Sequence, residues 1–149
     1  MNTWILWVIV AFASWGVYGP VLHIGQTEIG SRLKALLCVG LAYFLMAVFV
    51  PVAMMLAKGE SFAMTPKGAG FSLLGGALGA LGAIGIILAF QAGGKPLVVM
   101  PLVFAGAPII NVLVSMLMHP PKTAPDWKLY VGFVLAAAGA WMVLRFKPA

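Results

Sequence analysis

Long apolar runs separated by short polar stretches set the pattern of this chain. Five runs stand out, at residues 4–22, 36–56, 70–90, 97–118 and 129–144, among them WILWVIVAFASWGVYGPVL and GFSLLGGALGALGAIGIILAF. None alternates polar with apolar as a half-buried strand would, and each approaches the ~20 residues with which a helix crosses a bilayer. The pattern predicts an all-α integral membrane protein of five transmembrane helices. The longest connections, between residues 58 and 69 and between 119 and 128, leave no room for a soluble domain. No Lys or Arg precedes Arg32, so the first run is expected to be a span and not a cleaved leader.

Composition strengthens this reading. Of 149 residues, 63% are hydrophobic and 8% charged, against about a quarter charged in a soluble domain. Cys38 is the single cysteine, falls inside a span and is expected to fill space. The net charge of +6 is scattered between the runs, as membrane insertion requires, and forms no nucleic-acid patch. Its distribution is nearly even. Lys58, Lys67, Lys122 and Lys128 fall on one side of the bilayer, and Arg32, Lys34, Lys95, Arg145 and Lys147 on the other. Five against four gives almost no orientation bias. The chain is therefore free to insert both ways and pair antiparallel, although a parallel dimer or an oriented heteropartner is equally compatible.

Small residues recur along two spans. Gly75, Gly79 and Gly82 form a stripe with Gly76 and Gly85 beside it, and Gly132, Ala136 and Ala140 follow every fourth residue. Such stripes let membrane helices approach closely, within a subunit or across a dimer. No lysine follows the glycines, which excludes a phosphate loop.

Polar side chains inside spans face the bundle interior or a water-filled cavity. Ser14 and Tyr18 share a face of the first span, with Trp15 beside them. Gln91 ends the third, and Asn111 and Ser115 share a face of the fourth. Each serves either an interhelical hydrogen bond or a cavity wall. Trp4 and Trp7 are expected as interfacial anchors, and His23 and His119 as groups near helix ends. The fourth span also holds Pro101 and Pro108. Proline cannot donate to the carbonyl four residues back, so Leu97 and Phe104 lose a helical donor. In lipid that acceptor must find a neighbouring helix, a polar side chain or water. Pro101, Pro108 and Ser115 fall on one face with Asn111 close by, so this face is expected to point inward. Gly19-Pro20 either kinks the first span or ends it.

Several of these features resemble one known repeat. Ser14-Trp15-Gly16, Arg32 opening the second helix, Pro108 midway through the fourth, the polar link from His119 to Lys128 and the closing YVGFVLAAAGAWMVL are similar to one EamA-type repeat. That repeat belongs to the drug/metabolite transporter superfamily, and the resemblance covers nearly the whole chain. It implies transport of small metabolites or drugs. Full-length members carry two repeats and about ten helices, so a single repeat implies a dimer. The family often places a glutamate before the last helix, where this chain has Lys122 and Asp126. Small multidrug resistance proteins of the same superfamily use a glutamate in the first helix as a proton and cation site. No Asp or Glu falls in any predicted span here; Glu28 lies beyond the first and is expected to pair with Arg32. A facilitator for a neutral or zwitterionic metabolite fits these groups better than proton-coupled cation exchange.

No His, Cys or carboxylate cluster has metal-ligand spacing, and no nucleophile has an acid–base partner. Neither catalysis nor a metal or cofactor is expected. The function expected is that of a half-size transporter in the cell membrane, a bacterial inner membrane in the first instance. Its solute groove would be formed by dimerisation, with Ser14, Trp15, Tyr18, Gln91, Asn111 and Ser115 as contacts. The alternative is a non-transporting subunit that docks on a larger membrane protein.

Overall fold

The computed structural model describes residues 3–148. They form helices α1 (Thr3–Ile29), α2 (Arg32–Phe44), α3 (Val50–Lys58), α4 (Pro66–Gln91), α5 (Pro96–Met118) and α6 (Trp127–Phe146). A π turn, Leu45–Phe49, joins α2 to α3, so the two run as one span, Arg32–Lys58. It lies directly before Pro51, whose missing donor would otherwise serve the carbonyl of Ala47. Five helical segments are thus long and apolar enough to cross a bilayer, as a multi-pass membrane protein requires. Among the described residues there is no strand.

Helix ends follow from local chemistry. Thr65 caps α4, its Oγ1 accepting from the Gly68 amide at 3.2 Å, and Pro66 occupies the first turn, where no donor is needed. Asp126 caps α6, its Oδ1 accepting from the Lys128 amide at 2.9 Å. Gly30 (φ 64°) and Gly59 (φ 63°) end α1 and α3 in the left-handed conformation that a side chain disfavours.

Several boundaries differ from expectation. The first span does not end at Leu22. Pro20 lies inside α1, which continues through HIGQTEI to Gly30. His23, Gln26 and Glu28 are therefore helical, and Gly19, Leu22 and Gln26 extend one buried face through the last turns. A proline within a span is tolerated because neighbouring groups re-satisfy the backbone. The second span begins at Arg32, four residues early. Glu28 and Arg32 form no ion pair.

The chain divides into two compact units, before and after residues 93 and 94. In the first, α1, α2 and α4 pack on one another. Its core gathers at one end of the three helices, around Leu22 of α1, Ala35 of α2, and Ala83, Ile86, Ile87 and Phe90 of α4. His23 stacks edge-on against Phe90, with ring centroids 5.1 Å apart. The second unit is a hairpin of α5 packed on α6, with both Pro101 and Pro108 inside the continuous helix α5.

The glycine stripe of α4 is not a close helix contact within the chain. A Cβ built at Gly75, Gly76, Gly79, Gly82 or Gly85 would meet nothing within 4 Å, and the same holds at Gly132. Ala83, in the same span, is the small residue that is buried.

Candidate functional site: cavities in series along the first unit

Three cavities follow one another along the first unit. The largest, about 580 Å³, is apolar and lies between α1, α2 and α4, walled by Trp15, Tyr43, Gly76, Gly79, Leu36 and Ile84. The glycines make this space: without a Cβ, α4 leaves a hollow that an alanine stripe would narrow. Leu36 and Ile84 also wall a second cavity, of about 520 Å³, which reaches Gly30, Arg32 and Gln91. Those three residues in turn border a third, of about 230 Å³, completed by His23, Gln26 and Thr27. The first two fall within the range usual for small-molecule sites. Shared walls make them one sequence, apolar at one end and polar at the other.

The polar end is built by helix termini. The last turns of α1 and α4 bring Gln26 and Gln91 beside the first turn of α2, where Ser31 makes no side-chain cap. Gln26 is buried, and its Nε2 donates to the Ile87 carbonyl at 3.4 Å, the long limit of a hydrogen bond. Its Oε1 and the Nδ1 of His23 are buried without a hydrogen-bond partner among the described residues. Thr27 donates to the His23 carbonyl at 2.8 Å. Arg32 is exposed at the rim and forms no ion pair among the described residues.

No family model, characterised protein or solved structure matches the chain.

Of the expected contacts, Trp15 and Gln91 lie on the sequence of cavities, at its apolar and polar ends. Tyr18 meets Trp15 ring to ring at 5.6 Å but faces a separate apolar pocket of about 250 Å³ with Leu22, Ala35 and Cys38. Its hydroxyl is buried and unpartnered. Ser14 is exposed. Asn111 and Ser115 belong to the second unit, where both are exposed and make no side-chain hydrogen bond among the described residues. Among the described residues there is no metal-binding cluster.

Gln26, Arg32, Gly76 and Gly79 were not expected as cavity walls. For Gln26 a signal existed. Gly19, Leu22 and Gln26 continue a three- and four-residue spacing past Pro20, and no glycine stop occurs before Gly30 except Gly25, which lies within that run.

Proposed function

We propose that the chain is a half-size membrane transporter for a small metabolite or drug-like solute, acting as a dimer. The observation that carries this reading is the sequence of cavities from a polar mouth at Arg32 and Gln91 to an apolar chamber at Trp15 and Gly79. A solute could enter among charges and hydrogen-bonding groups and lose its water against aromatic and aliphatic walls. The resemblance to a single EamA-type repeat points the same way. Dimerisation is supported by Asn111 and Ser115, exposed on a span whose surroundings are otherwise hydrocarbon. An amide in lipid needs a partner, and a second copy supplies one. The near-even distribution of bases permits that copy to be antiparallel. A bacterial inner membrane is the location proposed.

A second reading has its own support. The open faces at Gly75, Gly82 and Gly132 could seat a larger membrane protein, making the chain a non-transporting subunit. Flux separates the two. The purified chain alone, in vesicles loaded with a mixed amino-acid and metabolite pool, should release some solutes faster than protein-free vesicles do. No difference for any solute, with copurification of a second membrane protein, would favour the subunit.

A further inference from the structure

We propose that the polar end of the first unit binds a small zwitterion, an anionic oxygen group with an ammonium a few ångströms away. This goes beyond transport, since binding there does not require the chain to move anything across the membrane.

The inference starts from the junction at Gly30 and Ser31. There α1 ends and α2 begins, so the negative end of one helix dipole and the positive end of another lie one turn of chain apart. The first amides of α2 have no helical acceptor, and Ser31 offers them no side-chain cap. Arg32 adds a full positive charge at the same place and borders the same cavity. An anion is favoured on that side. On the other side, α1 and α4 both end, at Ile29 and Gln91, with their negative termini. A donor is favoured there.

The independent observation is Gln26. The residue is 9% exposed and borders the cavity, yet among the described residues its Oε1 accepts from nothing. A buried acceptor left without a donor is costly, so such groups have partners in native proteins. Its one contact, Nε2 to the Ile87 carbonyl at 3.4 Å, is long. A turn of the terminal amide toward the cavity would therefore give up little and would let Oε1 meet a donor bound there. His23, whose Nδ1 is also unpartnered, stands one turn away on the same helix. A plain anion would satisfy Arg32 and leave Gln26 orphaned. A plain cation would face the wrong helix end and Arg32. A ligand bearing both groups answers both halves. Two sources carry this chemistry: free amino acids or aminophosphates, and the headgroup of phosphatidylethanolamine.

The test uses the full chain in nanodiscs of phosphatidylglycerol, whose headgroup carries no ammonium. Binding is read as the apparent Kd for L-alanine and phosphoethanolamine, and for phosphatidylethanolamine introduced into the disc. Saturable binding of a soluble probe identifies a free zwitterion, and binding of the lipid alone identifies a headgroup; either supports the site. Acetate, inorganic phosphate and ethylamine, each carrying half the chemistry, should bind at least tenfold more weakly. Arg32→Gln and Gln26→Leu should each weaken the bound probe at least tenfold. Should Gln26→Leu not fold, Arg32→Gln, at an exposed position, carries the test. No binding of any probe, equal affinity for phosphate alone, or undiminished binding by Arg32→Gln would overturn the proposal. Because no flux is read, this result is independent of whether the chain transports.

Discussion

The two units treat polar groups in opposite ways. In the first, Gln26 and His23 are turned inward where three helices converge on Phe90 and Ile87, and the Tyr18 hydroxyl is buried farther along α1. In the second, Asn111 and Ser115 of α5 stay exposed, and no residue of α6 is buried. Three helices can enclose space; a two-helix hairpin cannot. The first unit therefore contains cavities of its own, while the second needs something outside it to meet its amide and hydroxyl. The contrast lies in what each unit provides: the first encloses cavities, and the second leaves polar groups of a span unmet within the hairpin.

The largest effect should come from the point of convergence. Phe90→Ala removes a buried ring that also stacks on His23. It is expected to destabilise the protein by about 3 kcal/mol, the low end for such truncations, because lipid replaces part of the hydrophobic term. Phe133→Ala, on the partly exposed face of α6, should cost less than about half of that. Unfolding by steric trapping in bicelles gives both values. Equal losses would dissolve the distinction between the units.

Next in size is the start of α6. Asp126→Ala leaves the Lys128 amide without its acceptor and should cost about 1 kcal/mol, with Asp126→Asn retaining most of it. The same unfolding measurement checks the pair, and an unchanged alanine variant would mean that the hairpin tolerates a frayed start.

Asn111→Leu sharpens the claim about the second unit. Membrane hydrogen bonds contribute about 0.6–2 kcal/mol, so a dimer joined through Asn111 should dissociate roughly three- to thirtyfold more readily. Fluorescence transfer between labelled copies in vesicles reads this directly. Unaltered association would remove Asn111 from the interface.

Smallest in stability, and most useful in function, are Gly76→Ala and Gly79→Ala. Each Cβ meets nothing within 4 Å, so folding should change by less than about 0.5 kcal/mol. Both methyls would intrude on the apolar cavity, and any solute flux should fall several-fold. Strong destabilisation would return these glycines to the role of helix contact.

How much of this was legible follows the same division. The five spans could be read from hydropathy, because length and lack of charge are what a bilayer demands. Trp15 and Gln91 could be placed on a cavity because polar and aromatic groups within spans seek the interior. The end of α1 could not be placed by propensity: Pro20 carries the signature of a terminator, and only packing against α4 shows why the helix runs on. The glycines of α4 follow a spacing shared by two opposite uses, close contact and open space. Spacing alone does not distinguish them. Pro51 and its π turn drew no expectation, since a proline in a long apolar run bears no mark of how the backbone adapts.

The central claim is that a solvent-reachable route runs through the first unit from the polar mouth to the chamber at Gly79. Cysteine scanning tests it most directly, in a Cys38→Ala background that removes the native thiol. Gln91→Cys, Ile84→Cys and Gly79→Cys line the route, whereas Leu78→Cys and Leu81→Cys, 59% and 61% exposed in the wild type, face away from it. A charged, membrane-impermeant thiol reagent is expected to modify positions 91, 84 and 79 and to leave 78 and 81 protected. Labelling at 91 alone, with 84 and 79 as protected as 78 and 81, would contradict it.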